Sequence, residues 1–281
     1  MPKIEPAVKT MRFTVDPSVG TYQYISLSQC ASIVNRRFYR AGLNWAVGGF
    51  TVLGSGAGSG YITVNRLPET WVMANAWTKA MKQWSKQQRE ALEGSESVKG
   101  RYNDFKVYMD QAHFNARTRP TGESLLPEGT AGIAYPSAVD WDYSNIVVPI
   151  WNAPGNYEPY LQMVGGGPIA SSPTSIGLIQ AYAASRSVPH NSDPNVPAEV
   201  IDENNIYRRM FDLGENNEDV IENAVVNNNG LPYSELEYPG AAIDQCEFVA
   251  SIRLANTQSQ TQVRGGSFPC GLIQLDTALL D

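Results

Sequence analysis

Two histidines, three cysteines and a few clustered acids are the side chains of this sequence best suited to reaction chemistry. His113 sits in DQAHFNARTRP and His190 in SVPHNSDPN, both of which read as loops. They are not at metal-ligand spacing, and neither stretch carries a nucleophile elbow, so a Ser-His-Asp or Cys-His centre is not expected. Cys30, Cys246 and Cys270 are odd in number, and no two stand closer than 24 positions. Without a CxxC pair they suit neither a zinc ribbon nor a disulfide framework and read as three buried apolar thiols. Paired acids occur at Asp140 and Asp142, Asp202 and Glu203, and Glu218 and Asp219. Asp140 and Asp142, in VDWDY, could share one face of a strand and hold a hard cation such as calcium at a subunit contact. The plainer reading is exposed loop acids. A carboxylate pair can also serve a glycosidase, but nothing in these spacings selects that chemistry. The glycine strings GSGAGSG and VGGGP lack the Lys-Ser/Thr partner and the strand-to-helix setting of a phosphate loop, and read as turn tips. The chain is therefore expected not to be an enzyme, with structural calcium its one cofactor reading.

The basic residues say more. Residues 1–119 carry 16 of the 21 Lys and Arg against eight Asp and Glu, while residues 120–281 carry five against 20. The two parts thus have net charges of +8 and −15, which combine to the −7 of the whole chain. Such asymmetry points to two surfaces in different electrical surroundings. Arg36, Arg37 and Arg40 cluster in NRRFYR with Phe38 and Tyr39 between them. Guanidinium groups hold phosphates, and an interleaved aromatic can stack on an unpaired base. Lys79, Lys82 and Lys86, with Arg89, form a second basic set. For each set the competing reading is a solvated helix face with local ion pairs. A pI near 5.0 argues against a conventional DNA-binding domain, which is basic throughout. A shell subunit escapes that conflict, because its inner face can be basic while the rest is acidic.

These residues must be positioned by elements that are mostly short and extended. Charged residues make up 17% of the chain against about 25% in ordinary domains, which suits a surface largely occupied by partners. About ten candidate strands, cut by Gly, Pro and Asn, lie at 11–17, 21–27, 43–54, 60–68, 104–110, 144–151, 159–165, 175–185, 205–213, 246–255 and 270–276. The runs 43–54 and 60–68 flank GSGAGSG and predict a β-hairpin. Two helices interrupt the pattern. One is capped at Ser26 or Ser28 and runs toward Arg40. The other covers ETWVMANAWTKAMKQWSKQQREALEG, with Met73, Trp77, Ala80, Met81 and Trp84 on its apolar stripe and Gly94 as its stop. The segment 216–229 reads as a third short helix or an ordered loop. No linker separates two domains, so residues 1–281 read as one domain with a short N-terminal arm at 1–10. The arm lacks the apolar core of a signal peptide, and no apolar run is long enough for membrane insertion. The long polar loops at 115–135 and 186–204 suggest partner contact.

Residues 31–50, ASIVNRRFYRAGLNWAVGGF, followed by LPETWVMANAWTKAMKQW, resemble the capsid proteins of smacoviruses and related small circular single-stranded DNA viruses. DFKVYMDQAH and the closing SFPCGLIQLD (267–276) are similar to the same proteins, so the resemblance covers residues 20–115 and 267–276. It implies an all-β, eight-stranded jelly-roll sandwich with one long amphipathic helix and one or two short helices in loops. It further implies self-assembly into an icosahedral shell of about 60 copies, enclosing a single-stranded DNA genome. The expected localisation is the virion, or the host cell during assembly, with a host receptor as a further partner. The sequence departs from a common pattern of such viruses in lacking an Arg-rich arm. Residues 1–20 carry only Lys3, Lys9 and Arg12 as basic residues. Genome contact then falls to the folded domain, to ions or to few contacts. The alternative function is a carbohydrate-binding, lectin-like β-sandwich, and a third is a glycoside hydrolase.

Overall fold

The computed structural model describes residues 7–16, 22–42, 44–54, 56, 59–94, 104–116, 124–129, 141–149, 155–166, 175–187, 217–229, 238–241, 246–255, 257 and 259–280. The expected strand at 205–213, together with His190, Asp140, Asp202 and Glu203, lies outside these residues.

The fold is mainly antiparallel sheet with few helices. Six strands from the two ends of the chain build its centre. They are β1 (Tyr22–Ser26), β2 (Asn44–Gly54), β3 (Ser59–Arg66), β8 (Glu247–Leu254), β9 (Ser259–Pro269) and β10 (Leu272–Leu280). One sheet has the order β1-β10-β3-β8, and β2 pairs with β9 in a second. The pairing is nested: β1 with β10, β2 with β9, β3 with β8. Short pairs complete the described strands. β4 (Val148–Pro149) runs antiparallel to β5 (Asn156–Tyr157), and β6 (Tyr160–Gln162) parallel to β7 (Ser175–Gly177). The described residues thus hold ten strands in four sheets rather than two sheets of four.

Period-two patterning explains why the two central sheets meet. Ile25, Ile62, Val64, Ile252, Ile273 and Leu275 project from one face of the four-stranded sheet. They pack on Phe268 of β9 and on the half-buried Trp45, Val47, Phe50, Val52 and Val263. Each such aliphatic side chain contributes about 1.5–3 kcal/mol on burial. The β2–β9 ribbon is closely apposed at its glycines. A Cβ at Gly265 would lie 1.9 Å from the Val47 carbonyl oxygen, so that position excludes every other residue.

Three of the five described helices, the second to fourth in chain order, cover the other face of the sheet at one end together with extended chain, whereas the first packs Leu27 and Cys30 on the β2–β9 side. The helices are α1 (Leu27–Asn35), α2 (Trp71–Leu92), α3 (Gln111–Ala116), α4 (Leu178–Ser187) and α5 (Asn217–Asn229). Val72, Met73, Ala76, Trp77 and Trp84 of α2 are buried with Tyr24, Phe105, Met109, Met163, Ile179 and Leu272. Ala80 and Met81 pack against the same cluster, so the expected apolar stripe is the docking face. The Thr70 side chain accepts from the Met73 N–H at 3.2 Å, and Gly94 just past the helix has φ +94.

Several expectations are corrected. The runs 43–54 and 60–68 do not form a hairpin. β2 and β3 lie in different sheets, because each buries its apolar side against the other's sheet. The first helix stops at Asn35, since Arg36 turns left-handed at φ 50, and Ser26 precedes it without a side-chain cap. Its first N–H, that of Leu27, is satisfied by the Gly271 carbonyl at 2.8 Å. Only Ser175–Gly177 of the run 175–185 is strand, and the rest belongs to α4. Gly177 permits this switch, as a Cβ there would lie 1.7 Å from the Gly165 carbonyl oxygen. The run 104–110 is extended with a single bridge, Tyr108 to Gln162, and 11–16 is extended without strand pairing. Met11, Phe13 and Val15 nonetheless pack inward in alternation. Strand β9, polar and glycine-bearing, was not among the expected strands. The segment 216–229 is helical from Asn217.

Candidate nucleic-acid interface

The arginine cluster lies on the turn after α1, not on the helix. Arg36 takes the left-handed conformation that ends α1, and Arg36, Arg37 and Arg40 are all exposed. Bulky residues rarely adopt this conformation, so the turn is held by its surroundings. The Tyr39 N–H donates to the Ser32 hydroxyl at 2.9 Å. The Ala41 N–H donates to the Asp104 carboxylate at 3.0 Å, and the Trp45 indole N–H donates to the Ala41 carbonyl. Phe38 packs against Trp141, with ring centroids 6.1 Å apart. The Lys106 ammonium lies 4.4 Å from the Trp141 ring centroid and 5.7 Å from that of Phe38. Lys106 is almost fully buried, so this aromatic slot offers its charge a π-face in place of water. Tyr39 leans on Trp45 at 6.4 Å. Both interleaved aromatics are therefore half-buried and engaged within the molecule. What the turn presents outward is guanidinium charge.

The second basic set lies where periodicity put it. Lys79, Lys82, Lys86 and Arg89 are exposed along α2. Lys86 pairs with Glu90 at 3.8 Å, and both side chains are more than half exposed, so the pair contributes little. Lys79 donates to the Ser185 hydroxyl at 2.9 Å and lies 5.7 Å over the Tyr182 ring, both on α4. The structure adds residues that the sequence reading did not single out. Trp71 opens α2 and is 48% exposed. The Arg186 guanidinium of α4 lies 5.3 Å from the Trp71 ring centroid and 5.7 Å from that of Tyr182. The signal that could have found them is weak: a tryptophan off the apolar stripe, and an arginine more than a hundred residues away in sequence.

His113, expected in a loop, is a fully buried residue of α3. It belongs to a polar cluster behind the four-stranded sheet. The Tyr24 hydroxyl and the Gln274 amide donate to one oxygen of Asp110 at 2.9 and 2.7 Å. The His113 N–H donates to the other oxygen at 2.7 Å. The Met109 N–H donates to His113 Nδ1 at 3.1 Å, which leaves that nitrogen unprotonated and the imidazole neutral. Burial pushes the His113 pKa down to about 3. Burial also raises Asp110 above the usual carboxylate range, against the four hydrogen bonds that pull it down. Tyr24 stacks on His113 at 4.5 Å. Every polar atom faces another part of the fold, and the cluster has the character of a structural latch.

Asp142 is exposed, and its expected partner Asp140 is outside the described residues. Among the described residues no group of three or more His, Cys, Asp or Glu is placed to hold a metal ion. Glu218 and Asp219 fall on α5, where Asp219 is exposed. Cys30 and Cys270 are buried thiols pushed up to about 12 by desolvation. Cys246 is only half-buried, which corrects the expectation of three buried thiols. Among the described residues no helix is long and apolar enough to cross a membrane. Comparison with protein-family models, with curated proteins and with solved structures finds no match to this chain.

Proposed function

We propose that this chain is a viral coat protein whose copies assemble into a small icosahedral shell around a single-stranded DNA genome. The observation that carries the reading is the nested pairing of β1 with β10, β2 with β9 and β3 with β8, in the order β1-β10-β3-β8. Rolling up one long antiparallel ribbon of four strand pairs generates this pattern, and the product is the jelly roll of capsid and lectin domains. Three of the four pairs that such a ribbon requires occur among the described strands. The resemblance of residues 20–115 and 267–276 to smacovirus capsid proteins points the same way. The exposed cations of the Arg36–Arg40 turn and of α2 supply guanidinium and ammonium groups for packaged polynucleotide, in a chain whose residues 120–281 are net acidic.

A lectin-like reading draws on the same fold and on the exposed rings of Trp71 and Tyr61, which could stack on sugars. Size separates the two. Sedimentation and negative-stain microscopy of purified protein should reveal uniform shells or their capsomers. A monodisperse monomer under all assembly conditions would overturn the coat-protein reading. Replacing Arg36, Arg37 and Arg40 together with Ala should then lower the nucleic acid per shell while shells still form. Unchanged packaging removes these arginines from the interface. Loss of assembly makes them structural.

A further inference from the structure

We infer that the exposed side of α2, completed by α4, is a binding surface for unpaired bases: Trp71 is its stacking platform, and Arg186, Lys79, Lys82 and Lys86 hold the phosphates. The inference rests on the reading that the chain packages single-stranded nucleic acid, and it assigns that contact a chemistry and a place.

At about 100° per residue, Trp71, Lys79, Lys82, Lys86 and Arg89 fall within one arc of roughly 80°. The buried Met73, Ala76, Trp77 and Trp84 point the opposite way, into the core. At 1.5 Å per residue the row from Trp71 to Lys86 is about 22 Å long, enough for several nucleotides. Its acids, Glu90 and the C-cap residue Glu93, lie at its far end. In a chain of net charge −7 this is a local cationic strip, complementary to a polyanion. Charge alone would suit any polyanion, whereas the aromatic end favours nucleic acid. The Trp71 ring is half exposed, with Tyr238 edge-on at 5.9 Å and the Arg186 guanidinium at 5.3 Å. The guanidinium lies over one face of the tryptophan, so the exposed part of the ring and a phosphate donor are adjacent. That combination binds single strands with little sequence preference. A duplex hides its base faces and gains only from the charges. The Arg36–Arg40 turn differs, because its aromatics are packed inward.

The test uses the full chain and three labelled probes of equal length: oligo-dT, an abasic strand with the same phosphates, and a duplex. Heparin serves as competitor. Wild type should bind oligo-dT more tightly than the abasic strand. Trp71→Ala should weaken oligo-dT about tenfold and leave the abasic strand unchanged, and Trp71→Tyr should restore most of the loss. Lys82→Ala with Lys86→Ala should weaken both strands alike and flatten the salt dependence by about 0.7 per lysine. Circular dichroism checks that each variant is folded. If dT and abasic strands bind equally, or if Trp71→Ala lowers both equally, the inference is overturned and the strip is a general polyanion surface of the kind heparin would fill. The shell reading fails separately. Base-dependent binding by a protein that never assembles keeps this inference and removes the capsid. Shells whose bound DNA ignores Trp71 do the reverse.

Discussion

The two faces of the four-stranded sheet are buried by different means. Toward the β2–β9 ribbon the contact is aliphatic and aromatic, with Ile25, Ile62, Val64, Ile273 and Leu275 meeting Phe268 and Phe50. Toward the helices, Tyr24 and Gln274 stand opposite each other on β1 and β10 and jointly grip Asp110. Asp110 in turn caps α3 through the His113 N–H. An aliphatic layer says that two sheets pack, but it tolerates sliding and repacking. A buried carboxylate gripped by Tyr24, Gln274 and the start of α3 says where α3 must sit and in which register β1 and β10 must pair. A one-residue slip would turn Tyr24 or Gln274 to the wrong face.

The contrast is testable by removing one group from each face. Asp110→Ala leaves the Tyr24 hydroxyl, the Gln274 amide and a helix N–H buried without their acceptor. The expected loss is on the order of 4–5 kcal/mol in urea unfolding. Ile273→Ala, on the aliphatic face, removes buried methyl groups from a layer that can partly close around the gap, with an expected loss of about 3 kcal/mol. If Ile273→Ala proves the more damaging, the polar cluster is not what fixes the helical face.

Acid titration sharpens the same comparison, because the buried carboxylate of Asp110 and the buried imidazole of His113 both lie on the helical face. The folded pKa of His113 is lowered to about 3, so its contribution is complete above the ordinary histidine range and is lost as pH falls through that range toward 3. Each unit across that window costs about 1.4 kcal/mol. Asp110 acts with the opposite sign. Its folded pKa is raised, so its contribution is present at low pH and is lost as pH climbs from the ordinary carboxylate value through the raised one. The two slopes oppose each other in mildly acidic solution. Asp110→Asn should therefore steepen the loss of stability on acidification. His113→Phe, which keeps a ring against Tyr24, should reverse the slope. Parallel pH profiles for the two variants would show that neither group titrates as its burial requires.

Apolar burial was the more legible feature on both faces. Alternation in 43–54, 60–68, 246–255 and 270–276 marks β2, β3, β8 and β10, and the 3.6-residue stripe marks α2. These patterns record burial, which is what sequence periodicity reports. Partnership was not legible. β2 and β3 are neighbours in sequence and strangers in pairing, and β9 forms along polar, glycine-bearing sequence because β2 supplies its ladder. Such tertiary context overrides local propensity. The polar contacts were hidden for a related reason. Tyr24, Asp110 and Gln274 are scattered over 250 positions and form a cluster only once folded. In the candidate interface, helical spacing revealed Lys79, Lys82 and Lys86. Trp71 and Arg186 needed the packing of α4 on α2.

The smallest expected effect probes how the helical face begins. Thr70 caps α2 by accepting the Met73 N–H, and Met73 is one of the buried residues that dock the helix. Thr70→Ala removes one cap, for which about 1 kcal/mol is expected. The core contacts of Trp77 and Trp84 lie beyond the first turn and hold the rest of the helix in place. The loss should therefore be concentrated at the helix start, with the Met73 amide exchanging about fivefold faster while amides near Trp84 change little. Uniform acceleration along α2 would mean that the helix docks as an all-or-none unit. The first turn would then inherit its order from the aromatic core and not from its cap, and Trp71 would be held as firmly as the buried stripe behind it.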